Sequence, residues 1–127
     1  MILKKNWLKE EMYDDNNIFA KIIRKEISSS IVYEDEKVLF FHDIIPQAKI
    51  HILAIPKIPV RDFTDFLNKS DEVSVKYFFD KINEVVKNIG LNKAGFRLVT
   101  NNGLDANQEV PHFHIHILGG ENLSSIR

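Results

Sequence analysis

His112-Phe113-His114-Ile115-His116-Ile117-Leu118 sets an imidazole at every second residue, with apolar side chains between. Alternate residues of an extended strand share a face, so the spacing predicts three rings on one side and Phe113, Ile115 and Ile117 packed on the other. The rings would root roughly 6.6 to 7 Å apart, close enough to surround one small group. Histidine is also the side chain that titrates nearest neutrality, able to donate, accept or attack. Two chemistries suit such a strand. In one, a neutral imidazole attacks and a protonated neighbour expels a leaving group. In the other, imidazoles hold zinc with an open water position and the protein is a metallohydrolase. Against the second, Glu109 is the one nearby carboxylate that stands out as a further ligand or orienting partner. A strand whose polar positions merely happen to be His would be costly, because each desolvated ring needs partners for its nitrogens.

The rest of the chain must hold that strand in place. Its 127 residues, 44% hydrophobic and including nine Phe, suffice for one core and are few for two domains. A formal charge of -1 leaves no basic stripe to neutralise a phosphate backbone, so nucleic-acid polymers are not expected partners. The lack of Cys excludes disulfides, thiolate metal sites and a Cys nucleophile, and fits a reducing compartment. No apolar run nears the roughly 20 residues of a membrane span, and the charged start MILKKNWLKEEMYDD does not resemble a signal-peptide core. A cytoplasmic protein without membrane contact is expected.

Residues 1–15 read as an extension that either docks as a short helix through Ile2, Leu3, Trp7, Leu8 and Met12 or frays, and residues 16–127 as one domain. Asn16 and Asn17 suit the cap of a short helix through Ile18, Phe19, Ile22 and Ile23 that ends near Lys25. Ile31-Val32-Tyr33 and Val38-Leu39-Phe40-Phe41 flank a turn-like Glu34-Asp35-Glu36-Lys37, which is a hairpin pattern. Ile50 to Ile55 makes a third strand, closed by Pro56 and Pro59. Val75, Phe78, Phe79, Ile82, Val85, Val86 and Ile89 recur at helical spacing, predicting a long helix from about Asp71 to Ile89 with Ser70 at its cap and Gly90 at its end. Phe96 to Thr100 is a fourth strand, and Asn101 to Asn107 turns the chain back into the histidine strand. Short successive connections point to an α+β fold, an antiparallel sheet with helices segregated on one face.

The histidine stretch resembles the signature of the histidine triad (HIT) superfamily, and Gly119-Gly120 behind it is similar to the nucleoside phosphoramidase branch. Ile18 to Ile27, Phe41 to Ala48, His51, Ile55-Pro56-Lys57 and Asn101 to Gln108 fall where that branch has similar segments, so the resemblance covers roughly residues 17 to 120. It implies a five-stranded antiparallel sheet with one short and one long helix. It also implies a two-fold homodimer joined through the helix from Asp71 and the strand at Phe96. The implied activity is hydrolysis of the P-N bond of purine nucleoside 5'-phosphoramidates, with no metal or other cofactor. Carried onto this chain, His114 is the nucleophile, His116 the acid and phosphate contact, and His112 and His51 orient the nucleophile through ring hydrogen bonds. Asp43 grips the ribose with His42 beside it, although an Asp before Ile-Ile-Pro also suits a plain turn. Phe19, Ile22, Phe41, Ile44 and Leu53 line the purine slot, and Asn101 and Gln108 donate to phosphate or leaving group. Asn107 stands where glycine is common, and Glu109 where some relatives have a small hydroxyl residue able to donate to phosphate. Zinc-dependent hydrolysis at the same histidines and a non-catalytic, purine-nucleotide-binding regulatory dimer are the alternatives.

Overall fold

A computed structural model describes residues 12–126. The anticipated docking of Ile2, Leu3, Trp7 and Leu8 lies outside those residues, and Met12 is exposed. In chain order the elements are α1 (Ile18–Ile23), β1 (Ile31–Glu34), β2 (Val38–His42), β3 (Ile50–Pro56), α2 (Phe63–Lys69), α3 (Glu72–Asn88), α4 (Leu91–Ala94), β4 (Phe96–Val99) and β5 (Ile115–Gly119), with a 3-10 turn at Leu104–Ala106. The five strands form one sheet in the order β1-β2-β3-β5-β4, every neighbouring pair antiparallel. No helix among the described residues is long and apolar enough to cross a membrane.

Strand parity divides the core. Val38, Phe40, Ile52, Ala54, Ile115 and Ile117 turn to one face, under Phe66 of α2, Phe78, Ile82 and Val86 of α3 and Leu91 of α4. Leu39, Phe41, Leu53 and Ile55 turn to the other, where Phe19 and Ile22 of α1 cover them. Burying each of the larger side chains contributes about 1.5–3 kcal/mol, so both layers hold the sheet between them. The helices are therefore not segregated on one face: α1 lies opposite the rest. Because β3 is covered on both sides, it reads as a continuous apolar run, and His51 is its one polar exception.

Among the described residues there are four helices, two more than the expected one short and one long. Asp62, which accepts from the Asp65 amide at 2.8 Å, opens α2, whose Phe66 stacks on Phe113 with ring centroids 4.8 Å apart. Asp71 rather than Ser70 caps α3, accepting from the Ser74 amide at 2.7 Å, while the Ser70 hydroxyl is buried without a partner. Gly90 ends α3 at φ 81°, as its position implied. The glycines after the histidines have separate reasons. A Cβ on Gly119 would stand 2.8 Å from Leu91 of α4, whereas Gly120 takes φ +83°.

Candidate active site

The histidine stretch is not one strand. Pro111 has no amide hydrogen, the His112 amide donates to Val110 at 2.9 Å and the Phe113 amide to Val60 at 2.9 Å, so regular pairing starts only at Ile115. Phe113, Ile115 and Ile117 do face the helical core. The three rings do not share one environment. His112 is fully buried, and its Nε2 lies 2.7 Å from the Pro56 carbonyl and its Nδ1 2.6 Å from the Tyr13 hydroxyl. A carbonyl only accepts, so Nε2 carries the proton and Nδ1 accepts from Tyr13. Burial pushes this imidazole down to about 4, the Pro56 carbonyl opposing.

The same logic assigns the other rings. His114 Nδ1 sits 2.6 Å from the His112 carbonyl and must donate to it, which leaves Nε2 as a bare lone pair. The edge of Phe19, 4.9 Å between centroids, holds the ring from the side. Burial lowers the His114 pKa, with the His112 carbonyl, Asp43 and Glu109 opposing. On β3, the Gln47 amide donates to His51 Nδ1 at 3.0 Å, so the His51 proton is on Nε2. That nitrogen is 2.8 Å from His116 Nδ1 and donates to it, which places the proton of neutral His116 on its own Nε2. The register explains the meeting: Leu53 pairs with His116 and His51 with Leu118, so His51 and His116 are diagonal neighbours on one face. Burial pushes His116 down to about 4, with His114 and His51 adding and Asp43 opposing, and burial likewise lowers His51 against Asp43. His114 and His116, with ring centroids 5.1 Å apart, thus present an acceptor and a donor side by side.

Both rings open on a cavity of about 710 Å³. Phe19, Ile22, Phe41 and Leu53 form its buried wall, while Ile44, 89% exposed, stands at the rim. His42, Asp43, Asn101, Asn107, Gln108 and Glu109 supply polar lining, and among the described residues no Lys or Arg lines it. Asp43 takes the turn role, its Oδ1 accepting from the Ile45 amide at 2.8 Å, while Oδ2 lies 3.4 Å from His51 Nε2. Asn107 adopts φ 56°, the left-handed region that accounts for glycine being at home there.

Three expected roles change. His112 lines no part of the cavity and orients His114 through its backbone carbonyl, not its ring. His51 engages His116 instead of the nucleophile candidate. Gln108 has no free amide hydrogen to offer: its Nε2 donates to the Arg61 and Val110 carbonyls at 2.7 and 2.9 Å, and its Oε1 accepts from the Gly103 amide at 2.9 Å. It brackets the loop from which Asn101 and Asn107 face the cavity. Sequence reasoning passed over Ile18, Ser28, Ser29 and Gln47, which also line the cavity, and Tyr13. The turn residue Gln47 acts through a backbone amide, which no side-chain pattern reveals.

Among the described residues, Asp43, His51 and His116 each offer one ligand atom, all within 4.8 Å of one another. A divalent ion there would have to replace the proton His51 shares with His116.

Paired imidazoles of opposite hydrogen-bonding sense at the mouth of a partly apolar cavity, carried on a five-stranded antiparallel sheet, are a fold and site of the HIT type. The HIT domain model matches residues 24–123, and the chain belongs to that family. A HIT-like protein of Rickettsia prowazekii is 46% identical over 88% of this chain and 93% of its own. The 14 kDa zinc-binding protein of Zea mays is 46% identical over 87% of each chain. Among solved structures, a histidine triad protein from Clostridium difficile aligns at TM-score 0.82 and 40% identity, over 91% of this chain and all of that one. A HIT family hydrolase from Legionella pneumophila aligns at TM-score 0.80 and 37% identity, over 86% and 96%.

Proposed function

We propose that this protein hydrolyses purine nucleoside 5'-phosphoramidates, of the AMP-amine or aminoacyl-adenylate type, through a nucleotidyl-histidine intermediate. The observation that carries the reading is the fixed pair of opposite tautomers: a lone pair on His114 Nε2 and a hydrogen on His116 Nε2, both at the cavity. His114 Nε2 attacks the α-phosphorus, and the new P-N bond forms as the bond to the leaving amine breaks. The electron pair goes to the amine nitrogen, which takes a proton from His116. The attached His114 ring is then a cation whose Nδ1 hydrogen bonds the His112 carbonyl with charge assistance. Water next attacks the phosphorus as the P-N bond to His114 breaks and its electron pair returns to His114 Nε2; a proton of that water passes to His116, and the nucleoside monophosphate leaves. Burial holds His116 neutral in the open cavity, and the bound phosphoryl anion offsets that, so the ring can carry the proton it must give. Asp43, an acceptor-only group, takes the ribose hydroxyls, and the purine lies against Ile22, Phe41 and Leu53. Hydrolase is the description carried by the Legionella relative and by one from Clostridium thermocellum, which supports this class of reaction.

His114→Ala is expected to lower kcat on an adenosine 5'-phosphoramidate at least about 10³-fold. Rapid quench of the unmodified protein should show the mass of one nucleotidyl group on a peptide containing His114. A variant that keeps most of the activity would refute the nucleophile.

A second reading rests on Asp43, His51 and His116 lying together, and on the zinc-binding name of the maize relative: these residues would hold zinc, which would supply an activated water for hydrolysis. Activity surviving exhaustive chelation decides for the first reading. A cavity that binds purine monophosphates with no turnover of any phosphoramidate would instead mark a regulatory nucleotide-binding protein. We also propose that the chain is cytoplasmic and works as a two-fold homodimer; the dimer is supported by edge strand β4, which leaves Phe96 and Leu98 about 40% exposed beside a backbone edge that no described strand pairs.

A further inference from the structure

We propose that Tyr13 is a positioning residue for the reaction, acting on the nucleophile through His112; the inference rests on the assignment of His114 made above. Tyr13 precedes the first described helix and lies outside the matched family domain, which begins at residue 24. Its hydroxyl nevertheless reaches His112 Nδ1 at 2.6 Å, across 99 residues of sequence, and its ring meets the imidazole edge to face with centroids 5.6 Å apart.

His112 can be held in only one way by these neighbours. Pro56 offers a carbonyl to Nε2 at 2.7 Å, so the remaining nitrogen must find a donor, and Tyr13 supplies it. With both ring nitrogens engaged and no exposure to water, the ring cannot flip or change tautomer without stranding a buried polar atom. That fixes residue 112, and the carbonyl of the same residue takes the His114 Nδ1 hydrogen at 2.6 Å. The chain of contacts therefore runs from the Tyr13 hydroxyl through the His112 ring and carbonyl to the orientation of His114 Nε2. The segment is itself anchored. The Asp14 carbonyl accepts from the Asn17 amide at 3.2 Å and from the Asn17 side chain at 2.7 Å, and Asn17 caps the helix whose Phe19 edges His114. One stretch of chain thus supports two of the triad rings, from opposite ends.

The test is Tyr13→Phe in the full chain, which keeps the ring and deletes the hydroxyl. It is expected to lower kcat on an adenosine phosphoramidate on the order of tenfold, with KM changed less than about twofold, because orientation and not binding is lost. Tyr33→Phe removes a half-buried hydroxyl near the hairpin, away from the cavity, and is expected to leave kcat unchanged. Nitrogen-15 spectra should show His112 as a pure Nε2-H tautomer in the unmodified protein and as a mixture, or with a shifted Nδ1, in Tyr13→Phe. In a double-mutant cycle with His112→Asn, the Tyr13 effect should vanish. The proposal is overturned if kcat is unmoved, if the His112 nitrogen signals are unchanged, or if the Tyr13 effect persists at full size in the His112→Asn background. Because the spectra need no turnover, they decide the Tyr13-His112 link even if His114→Ala shows the nucleophile assignment to be wrong.

Discussion

Each nitrogen proposed to react is set by a partner outside the proposed reacting pair. The His112 carbonyl takes the proton side of His114, and the Gln47 amide sets His51, which in turn sets His116. A His51→Ala change should therefore act as a loss of donor orientation, lowering kcat on the order of tenfold while nucleotide affinity stays close to normal. Asp43 differs, since in the proposed reaction it accepts from the sugar. Asp43→Asn is expected to raise KM for an adenosine phosphoramidate about tenfold or more, the size of one lost charge-assisted hydrogen bond of about 1.5–3 kcal/mol. Steady-state kinetics on the two variants separate the roles, and a pure kcat effect at position 43 would contradict ribose binding.

At the scale of elements, α3 shows how a local signal can be right in kind and wrong by one residue. Ser70 and Asp71 are both good caps by type, and only the backbone placement decides that Asp71 receives the Ser74 amide. Asp71→Ala should cost about 1 kcal/mol in urea unfolding, whereas Ser70→Ala, which removes a buried hydroxyl with no partner, should be neutral or slightly stabilising. Equal losses at the two positions would mean the cap is shared. The overlooked helix α2 had a weak signal in Asp62 three residues before Asp65, but its seven residues carry one buried side chain, Phe66, too few for a periodic pattern.

For the whole molecule, buried ionisable groups set how acid affects stability. His112 is neutral in the fold down to about 4, while in the unfolded chain it titrates near 6.5. Between those values the unfolded state binds the extra proton, so stability falls as the pH drops from about 6.5 to about 4. Asp35 governs a lower window. Burial alone would raise its pKa, but hydrogen bonds from Tyr77, Tyr33 and the Lys37 and Val38 amides overcome that and bring it to about 2. What this carboxylate contributes is complete above about pH 4 and is lost toward pH 2. Thermal melts should show both declines, the upper one shallower in His112→Asn and the lower one reduced in Asp35→Asn. Quaternary structure belongs to this scale too. If β4 forms the proposed interface, Leu98→Glu should convert the dimer to a monomer in sedimentation velocity, and an unchanged mass would place the contact elsewhere.

The sequence by itself determined what is periodic and local. The alternation around His114 placed Phe113, Ile115 and Ile117 in the core, the 3.6-residue spacing drew α3, and the β1-β2 hairpin is written in Glu34 to Lys37. Its resemblance to the HIT family located a site whose cavity gathers His114, His116, Asp43 and the apolar wall as expected. The tertiary structure alone decided that His112 leaves the cavity, that His51 serves His116, that Gln108 is consumed by its own loop, and that Tyr13 reaches the triad at all. The reason is physical. A side chain's face follows from the local repeat of its own strand or helix, but which ring nitrogen bears the proton depends on donors and acceptors delivered by segments distant in the chain, and these meet only when the sheet and its two covering layers close.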